Sequence, residues 1–136
     1  MKNVDVARAF WDSVRAGDLD GAFSVLHPDV TLREAEGLPY GGTYRGRDGV
    51  ASLAEKTFAV FEQEFREIEF IDGGDRVVAR LDLVWTARAT GKSFEVPIVD
   101  VYQFRDGLIS DLDVYYKDSK AVAAVWAELG LELNPA

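Results

Sequence analysis

Residues 94–104 read Phe94-Glu95-Val96-Pro97-Ile98-Val99-Asp100-Val101-Tyr102-Gln103-Phe104. The β-branched and aromatic content of this segment predicts a strand. Because successive side chains of a strand point to opposite faces, Asp100 shares its face with the apolar side chains two and four positions away. A carboxylate on so apolar a face is costly unless it is paired, protonated or lines a cavity. Asp100 is therefore a candidate functional residue, with a partly exposed or hydrogen-bonded core aspartate as the alternative.

The quoted segment belongs to a predicted meander of long strands. The strands cover residues 64–72, 76–89, 92–105 and 108–116. The turns that connect them are Gly73-Gly74, Thr90-Gly91 and Asp106-Gly107. Glycine allows the positive φ that a tight hairpin turn needs, so these turns favour antiparallel pairing of neighbouring strands.

Helices precede and follow this meander. The spacing of apolar residues predicts helices over 3–16, 18–26, 46–61 and 118–129. A short strand is expected over 30–34, before a loop rich in glycine and aromatic residues over 36–45. Helices followed by long antiparallel hairpins are typical of α+β proteins. We therefore predict one α+β domain over residues 1–136, in which a curved, mostly antiparallel sheet wraps around three to four helices as a cone with an apolar pocket.

The composition argues against several functional classes. The 136 residues carry a formal net charge of −9, and an acidic surface repels nucleic acid and anionic membranes. The absence of cysteine and the single histidine argue against disulfides, thiolate chemistry and a transition-metal cluster. The sequence has no nucleotide-binding loop and no apolar stretch long enough to span a membrane. We therefore expect a cytoplasmic protein that uses carboxylates and hydroxyls, without a metal or a cofactor.

The alternation of side chains along the strands predicts the lining of the pocket. Its expected substrate-binding residues are Phe10, Val14, Leu53, Leu81, Leu83, Trp85, Ile98, Tyr102, Leu112, Val114 and Tyr116. Tyr40 and Tyr44, in the loop near the expected mouth, would either donate a hydrogen bond to a substrate oxygen or pack within the loop. An apolar, aromatic lining with one or two acids suits a flat, apolar ligand that bears a carbonyl group.

Five short motifs occur in a particular order along the chain. They are Ala16–Gly21, Gly37–Gly46, Leu83-Val84-Trp85, Ile98–Phe104 and Val114-Tyr115-Tyr116. Their order and spacing resemble the SnoaL-like polyketide-cyclase and ketosteroid-isomerase branch of the nuclear-transport-factor-like superfamily, which has a cystatin-like α+β cone. The resemblance covers essentially the whole chain and implies the same fold, although one fold hosts many unrelated chemistries.

The resemblance implies roles for two carboxylates. In the steroid isomerases an acidic base follows the first strand, and a protonated aspartate on the penultimate long strand donates to the oxyanion. By this resemblance Glu34 falls at the position of the base and Asp100 at that of the oxyanion donor. The alternative for Glu34 is a solvated carboxylate at a strand end, paired with Arg33 or Arg45.

Three positions depart from other members of this superfamily. Phe10 and Leu26 fall where the steroid isomerases keep a tyrosine donor and its supporting tyrosine. Losing one oxyanion donor typically costs about 10²–10³ in rate, so ketosteroid isomerisation itself is not predicted. Val114 falls where the epoxide hydrolases of this fold keep an aspartate, so their activation of water is not expected either.

Two classes of function remain open. In the first, a cofactor-independent enzyme, Glu34 removes a proton next to a carbonyl and Asp100 hydrogen-bonds the resulting enolate. The outcome is an isomerised enone or an aldol-type ring closure, and the resemblance favours a polyketide or a similar apolar, carbonyl-containing substrate. The second class is a non-catalytic module that binds an apolar small molecule or dimerises. Dehydration or decarboxylation on the same scaffold is a further alternative.

The outward face of residues 94–104 predicts an interface. Val99 and Val101 lie on that face beside Gln103. An apolar sheet face that is open to solvent usually marks an interaction surface. We therefore expect a homodimer, with an apolar small molecule as the other partner.

Overall fold

The computed structural model describes residues 1–131, which form four helices and seven strands. The helices are α1 (Asn3–Arg15), α2 (Leu19–Ser24), α3 (Gly46–Val60) and α4 (Ser119–Glu128). The strands are β1 (Leu26–Glu34), β2 (Gly42–Arg45), β3 (Phe61–Asp72), β4 (Arg76–Ala87), β5 (Ser93–Glu95), β6 (Ile98–Arg105) and β7 (Leu108–Tyr116). The predicted order of elements is confirmed, with a short strand β2 inside the expected loop and two strands where one was expected over 92–105.

All seven strands belong to one curved sheet. Along it the strands run in the order β2-β1-β7-β6-β4-β3, and β5 pairs with β4. The β1–β7 pair is parallel, and the other neighbours are antiparallel. Because β2 and β3 form the two edges, the sheet stays open. The predicted α+β fold with a curved, mostly antiparallel sheet is therefore confirmed.

Helices α1 and α3 pack against the sheet. Helix α1 contacts β3, β4 and β7, while α3 contacts β1, β2 and β3. Alternate residues of β4 are buried, as expected for a strand with one face on a core. Each fully buried leucine or phenylalanine of such a core contributes roughly 1.5–3 kcal/mol relative to exposure. Within residues 1–131, no helix combines the length and hydropathy that crossing a membrane requires.

The predicted boundaries are wrong at two junctions between a helix and the strand that follows it. The second helix ends at Ser24 rather than at residue 26, and β1 begins at Leu26, four residues earlier than expected. Leu26 is fully buried opposite Ile109 of β7, so tertiary pairing overrides the helical spacing of the sequence. The third helix ends at Val60, and β3 begins directly at Phe61, three residues before the expected start. Phe61 therefore belongs to the sheet rather than to the apolar face of the third helix.

Pro97 divides the strand that was expected over 92–105. Proline has no N–H to donate to a sheet, which confines it to strand ends and irregular positions. The preceding Val96 still donates its N–H to the carbonyl oxygen of Leu83 at 2.9 Å, which keeps the segment attached to β4. Val96, Ile98 and Asp100 all remain buried, so the break preserves the predicted alternation.

The hairpin between β6 and β7 turns at Asp106-Gly107, as predicted. Both residues have positive φ, 55° and 74°, which is the backbone conformation of a type I′ hairpin turn. Aspartate and glycine tolerate this conformation better than other residues. The antiparallel pairing that follows from the turn places Asp100 opposite Val114.

Candidate active site

A cavity of about 130 Å³ is lined by side chains from α1, α2, α3 and the sheet. Glu34 and Asp100 both line it, in surroundings that are otherwise almost entirely apolar. Ten of the predicted substrate-binding residues also line it: Phe10, Val14, Leu53, Leu81, Leu83, Trp85, Ile98, Leu112, Val114 and Tyr116. An engineered apolar cavity of about 150 Å³ binds benzene, so this volume matches roughly one ring. A larger ligand would extend beyond the cavity or displace side chains.

Three predicted substrate-binding tyrosines do not line this cavity. Tyr40 and Tyr102 are fully buried. Tyr44 donates its hydroxyl to the carbonyl oxygen of Tyr40 at 2.7 Å, so the loop tyrosines pack within the loop. Tyr40 and Tyr102 instead stand behind cavity residues, because their hydroxyls bond to Tyr116 and Asp100, respectively.

Further residues in the lining were not predicted from the sequence. Several belong to helix positions next to predicted ones, and two lie on β3, where Gln63 precedes the expected start of the strand. Among the described residues the additional lining consists of Trp11, Leu19, Phe23, Leu32, Val50, Ala54, Thr57, Phe58, Gln63 and Phe65. The apolar spacing of the helices could have indicated most of them, but the early start of β3 has no signal in the sequence.

Glu34 lies at the end of β1 and is only 8% exposed. Tyr116 of β7 donates its hydroxyl to Oε2 of Glu34 at 3.1 Å, and the hydroxyls of Tyr116 and Tyr40 lie 2.7 Å apart. The neighbouring Arg33 bonds instead to Asp111, with both N–O distances below 3 Å. The alternative of a solvated Glu34 paired with an arginine is therefore wrong.

Asp100 lies in the middle of β6 and is 2% exposed. Tyr102, two residues along the same strand, donates its hydroxyl to Oδ2 of Asp100 at 2.7 Å. The indole N–H of Trp11 on α1 donates in turn to the Tyr102 hydroxyl. A chain of two donors therefore ends on this carboxyl and favours its ionised form.

Both carboxyls have strongly raised pKa values. Burial raises the pKa of Glu34 to about 8, and the negative charge of Asp100 adds to this increase, while the Tyr116 hydroxyl opposes it. Burial raises the pKa of Asp100 to about 7, against the effect of the Tyr102 hydroxyl. The two groups titrate as a coupled pair close to neutral pH. Between its two titration steps the pair holds one proton and one negative charge.

This arrangement supplies an acid and a base to one apolar cavity. Carboxyls whose environments separate their pKa values can take opposite roles in proton transfer. Within residues 1–131, no group of three or more histidine, cysteine, aspartate or glutamate side chains is arranged to hold a metal ion. The groups at the cavity that can transfer protons include the carboxyl pair, and tyrosine hydroxyls bond to both of its members.

The family model of the SnoaL-like domain matches residues 7–112, well over half of the chain. The chain belongs to the SnoaL-like family. The resemblance inferred from the five motifs is thus confirmed. A search of curated proteins finds no match to this SnoaL-like chain.

Solved structures show the same fold. An NTF2-like protein of unknown function from Burkholderia pseudomallei is 27% identical, with a TM-score of 0.80 over 90% of this chain and 96% of that one. TerC, co-crystallised with polyporic acid, is 26% identical, with a TM-score of 0.78 over 93% of this SnoaL-like chain and 96% of its own. A provisionally assigned polyketide cyclase from Pseudomonas putida, at 19% identity, has a TM-score of 0.79 over 90% of this chain and 96% of its own, a likeness of fold alone.

Proposed function

We propose that this SnoaL-like protein is a cofactor-independent proton-transfer enzyme, a cyclase or isomerase, that acts on an apolar, carbonyl-containing small molecule. One observation carries the proposal: two buried carboxyls with pKa values of about 7 and about 8 line the same apolar cavity. Burying two acids is costly for folding, and perturbed carboxyls in a cavity are typical of acid–base sites. A purely structural core would have no need for either group.

The proposed roles are the reverse of those implied by the steroid isomerases. Asp100 accepts the end of the donor chain from Trp11 and Tyr102, which favours its ionised form and suits the base. Burial and the negative charge of Asp100 raise the pKa of Glu34, so Glu34 can hold a proton near neutral pH and donate it to an oxygen of the substrate. Both carboxyls accept a phenol hydroxyl, and the negative charge of Asp100 further favours the protonated form of Glu34.

The proposed reaction is balanced without a cofactor. An oxygen of Asp100 takes the proton from the carbon next to a carbonyl, and the C–H electron pair moves into the carbonyl to form an enolate. The O–H of Glu34 stabilises the enolate oxygen by hydrogen bonding. Return of the proton to another carbon of the conjugated system gives isomerisation. Attack of the enolate carbon on a second carbonyl, with proton transfer to the new alkoxide, gives an aldol-type ring closure.

The proposed substrate class is an aromatic or polyketide-like carbonyl compound. The lining is rich in aromatic side chains and offers few polar groups, which suits a flat, apolar ligand. The relative co-crystallised with polyporic acid supports a ligand of this kind. Proton transfer, rather than dehydration or decarboxylation, is favoured because the site pairs one acid with one base.

Hydrogen–deuterium exchange of a simple ketone tests this function. Phenylacetone, a one-ring ketone with acidic protons next to its carbonyl, would be incubated with the protein in D₂O and followed by proton NMR. We expect the protein to accelerate exchange of these protons, with a maximum rate between about pH 7 and 8, where the pair holds one proton. Binding of phenylacetone without faster exchange would contradict the enzyme and support the non-catalytic binding module.

We also propose that the protein is a homodimer through the outer face of the sheet. On that face Val99 lies between Arg80 of β4 and Tyr115 of β7, and Tyr115 is 55% exposed. An exposed aromatic beside apolar residues on a sheet is typical of an interface. We predict that light scattering at micromolar concentration gives the mass of two chains, and that Val99→Asp gives the mass of one. A single-chain mass for the unmodified protein would contradict the dimer.

A further inference from the structure

Two buried donors in the wall of the cavity have no hydrogen-bond partner. Within residues 1–131, these atoms are Nε2 of Gln63 and Nε1 of Trp85. An unpaired buried donor loses its hydrogen bond to water without replacement, so folded proteins contain few of them. Both residues line the same cavity as the two carboxyls. Two unpaired donors in one binding cavity indicate an acceptor that arrives with the ligand.

The two donors come from neighbouring positions on the sheet. Gln63 of β3 and Trp85 of β4 are direct partners in the antiparallel register. Directly opposed residues project from the same face of a sheet, with Cβ atoms about 4.5–5.5 Å apart. Trp85 is held by ring contacts with Phe61 at 4.9 Å and Phe94 at 6.4 Å, so its N–H has a defined direction. The pair therefore forms a preorganised donor site rather than two unrelated groups.

The donor pair adjoins the carboxyl pair. The ring of Trp85 lies 6.2 Å from the ring of Tyr116, and Tyr116 donates its hydroxyl to Glu34. The side chain of Tyr116 thus lies between Glu34 and the donor pair of Gln63 and Trp85. A ligand that fills the cavity can therefore present one oxygen to the carboxyls and another to Gln63 and Trp85.

The charged groups in the cavity lining indicate whether the second ligand oxygen is neutral or anionic. Among the described lining residues there is no lysine or arginine, while two carboxyls are present. An anionic oxygen would be desolvated next to acids and without a counter-charge, which is unfavourable. Neutral amide and indole N–H donors are instead suited to a neutral carbonyl oxygen.

We propose that Gln63 and Trp85 form a second polar subsite that binds a neutral carbonyl oxygen of the ligand. The substrate class is thereby a compound with at least two carbonyl groups, one that reacts at Asp100 and Glu34 and one that is held by the donor pair. This deepens the proposed function and rests on it for the reacting carbonyl, whereas the subsite itself can be tested by binding alone. Such a subsite would select substrates, because analogues without the second acceptor leave both donors unpaired.

Two probes of the same shape test the subsite. Acetophenone carries a carbonyl oxygen where α-methylstyrene carries a CH₂ group, and each would be titrated into ¹⁵N-labelled protein at pH 6. The indole N–H signal of Trp85, assigned with Trp85→Phe, reports on its hydrogen bonding. We expect acetophenone to shift the indole proton of Trp85 downfield and to bind about tenfold more tightly than α-methylstyrene.

Substitutions of Gln63 distinguish an effect of its hydrogen-bond donors on ligand binding from an effect of its side-chain packing. Gln63→Met keeps the length of the side chain and removes its donors, and should reduce the preference for acetophenone to about threefold or less without changing the affinity for α-methylstyrene. Gln63→Glu replaces the donors by acceptors and should also remove the preference. The matched control is Gln103→Met, the same change at a residue outside the cavity lining, which should leave the preference intact.

Several outcomes would overturn the subsite. Equal affinities for the two probes would mean that water alone satisfies the donors. An unmoved Trp85 indole signal, or an unchanged preference in Gln63→Met, would place the ketone elsewhere in the cavity. The exchange assay with phenylacetone tests a separate claim. If the protein prefers acetophenone but does not accelerate exchange of phenylacetone, the subsite is supported and the proposed enzyme activity is contradicted.

Discussion

Asp100→Asn is expected to slow ketone exchange by about 10²–10⁴, because the amide cannot accept the substrate proton. Asparagine has the shape of aspartate, and its side-chain oxygen can still accept the hydroxyl of Tyr102, so the fold should persist. The measurement is the exchange rate of phenylacetone in D₂O across a range of pH, with retention of the fold checked by NMR. A variant that exchanges at the unmodified rate would eliminate Asp100 as the base.

Glu34→Gln is the matched comparison, because loss of the donor and loss of the base should lower the exchange rate by different amounts. An amide N–H still donates to an enolate oxygen, so this substitution should lower the exchange rate only about tenfold, which is less than complete removal of a donor would. The fall in rate above about pH 8, which reflects loss of the Glu34 proton, should disappear. If Glu34→Gln proved the more damaging substitution and Asp100→Asn the milder one, the roles would be those of the steroid isomerases.

Stability should fall as pH rises through the neutral range. Both carboxyls have a higher pKa in the folded protein, about 8 and about 7, than the ordinary 4.5 and 3.8. Between these limits the unfolded chain has lost protons that the folded protein retains, so raising the pH favours unfolding. One pKa unit corresponds to about 1.4 kcal/mol, so each buried acid lowers the free energy of unfolding by about 4 kcal/mol between pH 4 and pH 9.

Urea unfolding at several pH values measures this loss. Asp100→Asn should be close in stability to the unmodified protein near pH 4, where both acids are neutral in the folded protein, and should be more stable by about 2–4 kcal/mol near pH 9. The difference between the two proteins cancels the contribution of all other titrating groups. A constant difference across this pH range would show that Asp100 is ionised as easily in the folded protein as in the unfolded chain. Enhanced stability with lost activity is the trade-off expected of a catalytic residue.

The fold is largely predictable because its signals are local. Apolar spacing indicates the helices, alternation indicates the strands, and Asp106-Gly107 supplies the positive φ of a hairpin turn. The boundaries at Leu26 and Phe61 are not predictable in this way. Each begins a strand within two residues of the end of a helix, and each is fully buried by partners far along the chain, so pairing in the sheet decides where these strands start.

The site is predictable in part. Asp100 can be found because it interrupts an apolar strand face, and Glu34 through the family resemblance. Gln63 cannot be found, because its place in the cavity depends on where β3 begins. The donor chain joins Trp11 to Tyr102, 91 residues away, and only the packing of α1 on the sheet brings them together. The hydrogen bond from Trp11 that supports the Tyr102–Asp100 pair follows from that packing and therefore has no trace in the sequence.

The most direct measurement is a pH titration of the Glu34 and Asp100 side-chain carboxyls by carbon NMR, with Glu34→Gln and Asp100→Asn as assignments. We predict two coupled transitions near neutral pH, with apparent pKa values of about 7 and about 8, and a single transition in Asp100→Asn, below about 8 because the charge of Asp100 no longer raises the pKa of Glu34. Titration of both groups near the ordinary values of about 4 would contradict it. The carboxyls would then be solvated anions, and the cavity would be a binding site without acid–base chemistry.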